Sequence, residues 1–355
     1  MTQLRELKLY QEDIAYVASL QLPWEKLKGS SIMFSGATGM IGTFLIDALM
    51  HKNRTENLAC KIYALGRNEE KARKRFGDYF EDPLFVFLSC DINAPLSFAG
   101  VETVDYVLHL ASNTHPLAYS SDPIGTITAN VFGTYNLLEY ASEHHTKRFA
   151  LASSNEIYGE NRGDVELFAE NYCGYIDSNT LRAGYPESKR CAEALCQAYI
   201  RQKDMDIVIP RLTRSYGPTL LSSDTKALSQ FLQKALAGED IVLKSKGEQY
   251  FSYTYTADAV AGLLYVLLLG EKGEAYNIAD TPSDVKLKDL ATHIAKTVGK
   301  EVVFDLPDEA EAAGYSTATK ARLDGSKLKA LGWVMHYDIE SGIQRTIAML
   351  SETEQ

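Results

Sequence analysis

Tyr185 and Lys189 stand four residues apart in GYPESKRCAEALCQAY, a segment whose apolar residues recur at helical spacing, so both side chains share one face. An isolated tyrosine titrates at about 10, and a neighbouring ammonium favours the phenolate. The pair therefore predicts a base that takes a proton from a hydroxyl near neutral pH, leaving the carbon that bears it free to release hydride to an acceptor. A YxxxK spacing also arises by chance as an exposed helix pair. It carries weight only beside a site for the hydride acceptor.

Such a site is predicted upstream. Gly36, Gly39 and Gly42 in GATGMIG fall between an apolar run, SIMFS, and a helical one, TFLIDALMHK. A strand, a tight glycine turn and a helix bring free N–H groups and a partial positive charge to bear on a pyrophosphate. Thr38, Met40 and Ile41 complete this cofactor loop. The second strand ends in ALGRN, so Gly66 and Arg67 stand where NAD-binding chains usually carry an acid, and the Arg67 guanidinium suits the 2′-phosphate of NADP. Asp91 and Ile92 after the third strand are expected to contact adenine. The cofactor is thus NAD or NADP, with the choice left open.

These groups need a scaffold, and the chain has room for one. Its 355 residues, 45% hydrophobic and 23% charged, describe an ordinary globular chain of more than one core. A net charge of −11 argues against nucleic acid or an anionic membrane as partner, and no stretch approaches a membrane span. The N-terminus lacks a leader pattern, so the default compartment is the cytoplasm. Cys60, Cys90, Cys173, Cys191 and Cys196 form no CxxC pair, which predicts reduced thiols, no disulfide framework and no metal site. Buried strands are expected at SIMFS, KIYAL, LFVFLSC, VDYVLHLA, RFALASS and DIVIPRL, with helices between several of them. Short apolar strands alternating with helices imply an α/β doubly wound parallel sheet of Rossmann type. Residues 1 to 30 read as a helical arm and 31 to 212 as the dinucleotide-binding domain, with a return segment at about 252 to 280. Residues 213 to 251 and 281 to 350 read as a smaller α/β substrate lobe.

GATGMIG, LHLAS, SSNEIYG and YPESK fall in the order and spacing of the extended short-chain dehydrogenase/reductases that modify nucleotide sugars, and the resemblance covers about residues 31 to 350. Within them, LHLASNTHPLAYSSDPIGTITANVFGTYNLL and YCGYIDSNTLRAGYPESKR are most similar to UDP-glucuronate decarboxylases, with sugar 4,6-dehydratases more distant. The resemblance implies a cofactor that stays bound and is recycled, with Leu110, Ala111, Ser112, Asn130, Tyr185 and Lys189 added to its contacts. It makes Ser154 the hydroxyl that joins Tyr185 on the sugar 4-hydroxyl, and Glu156 the carboxylate that decarboxylases and dehydratases share. A ketone at C4 acidifies C5 and turns a C6 carboxylate into a β-keto acid, so chemistry at C5 or C6 follows. Asn155 stands where dehydratases carry an aspartic acid, and an amide cannot protonate a departing hydroxyl. Decarboxylation, or 4- or 5-epimerisation, is therefore favoured over dehydration. A regulator that binds NAD(P) without turnover is the alternative from another class.

Two departures touch the substrate side. Phe251 replaces the family's usual Arg in GEQYFSYTYTAD, and Arg214 replaces the common Asn before SYGP. Arg214 is expected to grip a diphosphate or a sugar carboxylate. Ser112, Tyr119, Asn155, Arg182, Gln249 and Arg322 are the other substrate candidates. His109, inside an apolar strand, is expected to be structural, and it flanks the nicotinamide-side loop together with His115. Cys191 and Cys196 read as packing residues. The resemblance also implies a homodimer, formed through the helix at about 126 to 145 and the helix bearing Tyr185.

Overall fold

The computed structural model describes residues 2–114, 116–221, 223–305 and 319–353. The apolar runs become strands β1 (Ser31–Ser35), β2 (Lys61–Gly66), β3 (Phe85–Ser89), β4 (Tyr106–His109), β5 (Arg148–Leu151), β6 (Ser153–Ser154) and β7 (Ile207–Leu212). Beyond them lie β8 (Arg214–Tyr216), β9 (Ile241–Leu243), β10 (Tyr250–Tyr255), β11 (Ala275–Ile278), β12 (Asp284–Lys286), β13 (Val302–Phe304) and β14 (Lys320–Ala321). The main sheet runs β3-β2-β1-β4-β5-β7-β11, with β6 beside β7 and every pairing parallel. This is the doubly wound Rossmann sheet expected from the sequence. Parallel neighbours need crossovers, which is why helices cover both faces and why β1 and β4 are buried throughout.

Strand order reverses between β1 and β4, so the connections leaving their carboxyl ends diverge and open a crevice. The glycine loop leaves β1 there and enters α3 (Met40–Glu56), while Leu110 to Ser112 leave β4. A second sheet, β12-β10-β14 with β8 against β10, stands beyond β7, and β9 pairs with β13. The segment between β10 and β12 returns to the main sheet, since helix Thr256–Leu269 leads into its edge strand β11.

The arm, α1 (Thr2–Glu6) and α2 (Lys8–Ala18), is built into the same core, with Tyr10, Ile14 and Val17 buried. Buried carboxylates fasten it. The Tyr10 hydroxyl donates to Asp47 at 2.7 Å, the Tyr255 hydroxyl donates to Asp13, which also pairs with Arg345, and the Tyr16 hydroxyl donates to Asp258 at 3.1 Å. Asp258 further accepts the backbone N–H groups of His336 and Tyr337 at 2.8 and 2.9 Å.

Burial pushes the Asp258 carboxyl up from an ordinary 3.8 to about 7. Between those values the native chain holds a proton that the unfolded chain has lost, so this group's contribution to stability is full below the lower value and declines as pH rises through the window. The decline is at most roughly 4 kcal/mol. An Asp258→Asn variant removes the titration. The difference in unfolding free energy between wild type and variant should fall from pH 4 to 7 in denaturant titrations and be level above pH 8; a difference level throughout assigns the proton elsewhere.

Candidate active site

The crevice floor is shaped by what a side chain would strike. Gly36 has a φ of +71°, and a Cβ there would lie 2.7 Å from the Ala111 nitrogen and 2.8 Å from its Cα. At Gly42 a Cβ would lie 2.5 Å from the Gly36 carbonyl oxygen. Gly39 caps α3 and its N–H donates to the Gly36 carbonyl at 3.0 Å. The loop thus presses against the exit of β4 while the first N–H groups of α3, at Met40, Ile41 and Gly42, face the crevice as helix-start donors. This cradle fits a dinucleotide pyrophosphate.

Ser35 accepts the N–H groups of Leu110 and Ala111 at 3.1 and 3.2 Å, which leaves its own proton for His109 Nδ1 at 2.7 Å. Burial and the Lys189 ammonium push His109 down to about 3, so the ring is neutral and structural, as expected. His115 lies outside the described residues. A residue absent from the sequence reading also holds the loop: Arg75, 7% exposed, donates to the Thr38 carbonyl at 3.1 Å and the Thr219 carbonyl at 3.3 Å. The Thr219 hydroxyl donates to the Met40 carbonyl at 3.0 Å.

At the end of β2, Asn68 caps α4 (Glu69–Phe76) by accepting the Lys71 N–H at 2.8 Å. Glu69 pairs with Arg73 and Glu70 with Lys74. Arg67 and Lys71, both exposed, sit close enough for Arg67 and Arg75 to lower the Lys71 pKa, behind burial as the main cause. Among the described residues neither Arg67 nor Lys71 has a carboxylate partner. Asp91 is exposed and accepts the Asn93 N–H, and the Ile92 carbonyl accepts Asn136 at 2.8 Å.

Tyr185 lies in the first turn of the long helix Gly184–Lys203 and is 5% exposed. The Ser154 and Ser112 hydroxyls lie near enough to its phenol to favour the charged form. Ser154 ends the short strand β6 and caps the tight turn Asn155–Tyr158 by accepting the Glu156 N–H at 3.2 Å, which places Asn155 and Glu156 beside it. Ser112 also donates to Asn130 at 2.8 Å; Asn130 donates to Ser188 at 2.9 Å, and Ser188 donates to the Tyr185 carbonyl at 2.8 Å. Asn130 is fully buried, so this relay fixes the β4 exit loop to the Tyr185 helix. Ser188 was available in YPESK, one residue before Lys189, but nothing in the sequence marks the relay.

The Tyr185 phenol departs from expectation. Burial and then the Glu156 carboxylate push it well above its ordinary value, against the pull of Ser154, Arg182 and Ser112. Lys189 is buried and donates to the Ala152 carbonyl at 2.9 Å, and burial lowers its pKa to about 8. Spacing alone suggests an ammonium that lowers the phenol; removal of both groups from water reverses the sign.

Around the phenol, Tyr119 stacks on Tyr185 with ring centres 4.9 Å apart, and the Arg182 guanidinium lies 4.9 Å from the Tyr119 ring centre. One Arg182 nitrogen reaches both Glu156 oxygens, at 2.8 and 2.7 Å. Arg214 lies over Phe251, and the charges acting on it include Glu156 and Arg182, so it belongs to this cluster. Gln249 and Arg322 have partners elsewhere: Ser245 for the first, Asp284 and Glu166 with the Tyr250 ring for the second. Cys196 is buried packing, but Cys191 is exposed, because five residues along a helix turn the two thiols to different faces.

Among the described residues no helix is long and apolar enough to cross a membrane. Residues 32–279 match the model of the NAD dependent epimerase/dehydratase family. The chain is 31% identical over 317 residues to UDP-glucuronic acid decarboxylase 6 of Arabidopsis thaliana, covering 88% of this chain and 86% of that protein. It is 29% identical to UDP-glucuronic acid decarboxylase 1 of Xenopus tropicalis, covering 89% and 71%. Its fold resembles a Bacillus cereus UDP-glucuronic acid 4-epimerase solved with UDP-glucuronic acid and NAD, at a TM-score of 0.77, 21% identity and 91% and 99% coverage. With seven tenths of its length in the family's pattern and its Rossmann crevice built as that pattern requires, the chain belongs to the NAD dependent epimerase/dehydratase family.

Proposed function

We propose that this chain decarboxylates a UDP-linked uronic acid through a transient 4-keto sugar. The observation that carries the reading is the convergence of Ser154, Tyr185 and Glu156 on one cleft wall, with Lys189 behind it. The Tyr185 phenolate takes the proton of the sugar 4-hydroxyl while Ser154 holds that oxygen, and Lys189 would help to hold the dinucleotide. Bound, the oxidised nicotinamide supplies the hydride acceptor and a positive charge that favours the phenolate. The carboxylate β to the new ketone then leaves as carbon dioxide, its electron pair passes into the C4 enolate, C5 takes up a proton, and the hydride removed from C4 returns there as Tyr185 gives the proton back to the oxygen. Glu156, which Arg182 holds, is the group that manages the proton at C5 in this reading. Asn155, beside it, has no acidic proton to give a leaving hydroxyl, which weighs against dehydration.

The relatives' names support the same substrate, and the chain spans most of their length. Epimerisation at C4 or C5 is the second reading, favoured by the similar fold of the 4-epimerase. Arg67 and Lys71, which have no carboxylate partner among the described residues, support NADP over NAD. The test is incubation of purified protein with UDP-glucuronate and either NAD or NADP, followed by mass spectrometry. Loss of the mass of carbon dioxide is expected, with tighter binding of NADP. A mass-neutral isomer would replace decarboxylation with epimerisation, and loss of water would refute both readings.

The helix Pro123–Glu143 exposes Ile124, Ile127, Phe132 and Tyr135, beside Leu181 at the start of the Tyr185 helix. We propose this apolar face as the dimer contact. Sedimentation should find a dimer that Phe132→Asp converts to monomer; a monomeric wild type refutes it.

A further inference from the structure

Parallel pairing sets Arg214 of β8 opposite Tyr253 of β10, so residues 214, 251 and 253 point to one side. The Arg214 guanidinium carbon lies 3.6 Å from the centre of the Phe251 ring, and the ring itself is 7% exposed. Its Nη1 is buried and meets no acceptor, and among the described residues no carboxylate pairs with it. Arg182, Arg211, Arg322 and Arg345 each have one. A guanidinium carries five donors and keeps its charge, so burying one of its nitrogens beside a ring without an acceptor is costly, and the attraction of the ring offsets only part of that cost.

Its surroundings say what completes it. Glu156 is near enough to act on Arg214 but is held through both oxygens by Arg182. This wall of the cleft therefore holds two guanidinium groups against one carboxylate, around the Tyr119 ring that stacks on Tyr185. A guanidinium attracted to a ring through its face still has an N–H edge to offer, and that edge takes a carboxylate in bidentate fashion. We propose that Arg214, positioned by Phe251, binds the C6 carboxylate of the sugar and selects uronic acids over neutral hexoses. The assignment rests on the uronic acid reading above. The phosphates of the nucleotide are the competing anion, but the groups around Arg214 are those around the reacting phenol, which places its partner at the sugar end.

The test is calorimetric titration of the cofactor-loaded protein with UDP-glucuronate, UDP-glucose and UDP. Wild type should bind UDP-glucuronate most tightly. Arg214→Gln should weaken UDP-glucuronate by about 30-fold or more, the scale expected when one partner of a buried charge pair is truncated, and change UDP-glucose and UDP less than about threefold. Phe251→Leu keeps every charge and should produce a smaller loss confined to UDP-glucuronate, which holds the test if the first variant fails to fold. Equal weakening of all three ligands assigns Arg214 to the diphosphate and overturns the proposal, as does unchanged binding of UDP-glucuronate. A wild type that binds UDP-glucose as well as UDP-glucuronate removes the uronic acid reading and the role of Arg214 with it. Selective wild-type binding that survives both substitutions removes only the role of Arg214.

Discussion

Replacing Tyr185 by Phe should lower turnover by about a thousandfold while leaving the fold and dinucleotide binding in place. Positioned acid–base catalysis contributes about 10² to 10⁴ in rate, and no neighbouring group can substitute for the phenol. Ser154 and Ser112 stand beside it, but an aliphatic hydroxyl is a far weaker acid than a phenol and does not ionise near neutral pH. Glu156 is occupied by Arg182, and Lys189 points to the Ala152 carbonyl. The ring remains, so the stack on Tyr119 is kept and the buried wall loses one oxygen without gaining a cavity. Single-turnover measurements on cofactor-loaded protein separate this from a folding defect. Bound dinucleotide should match wild type, and the reduced nicotinamide absorbance that appears on mixing with substrate should be lost. A variant within tenfold of wild type would take Tyr185 out of proton transfer. The high starting value of the phenol adds a condition: activity should rise with pH, since burial and Glu156 keep the wild-type phenol protonated until a positive charge or added base removes its proton.

How much of this was legible depends on how far apart the interacting residues lie. The main sheet could be read because each strand is a local event, five or so apolar residues between turn residues, and GATGMIG announces its own turn chemistry. The Tyr185 pKa could not, because spacing reports a neighbour four residues on and says nothing of the water removed from both. Arg182 was legible as a cation but not as the partner of Glu156, 26 residues before it. Arg75 was invisible: its contacts to the Thr38 and Thr219 carbonyls span 37 and 144 residues, and no local pattern requires an arginine there. The arm is similar. Its helical spacing was plain, yet its fastening to Asp47 and Asp258 joins residues 37 and 242 apart. Local rules predict elements; these long contacts decide which polar groups are left for a ligand.

Gly36→Ala is the second large effect, and it should remove dinucleotide binding by at least about a hundredfold. Two costs add. A left-handed φ of +71° costs an L-residue roughly 1 to 2 kcal/mol, and the new Cβ would stand 2.7 Å from the Ala111 nitrogen and 2.8 Å from the Leu110 carbonyl carbon. These are backbone atoms with no rotamer to change. Ala111 and Leu110 are also tied to Ser35 through their N–H groups, so relief requires the β4 exit to move as a unit, away from the loop and into the crevice. Gly39 and Gly42 both lean on the Gly36 carbonyl, so the start of α3 shifts with it. Gly29 provides the control, since its φ of +69° is similar but a Cβ there meets nothing within 4 Å. Gly29→Ala should cost stability by about 1 kcal/mol and leave cofactor affinity unchanged, which isolates the collision from the strain. Titration of protein fluorescence with NAD and NADP reads both variants. If Gly36→Ala binds either dinucleotide as wild type does, the pyrophosphate does not lie on this loop, and Tyr185 has no hydride acceptor within its cleft.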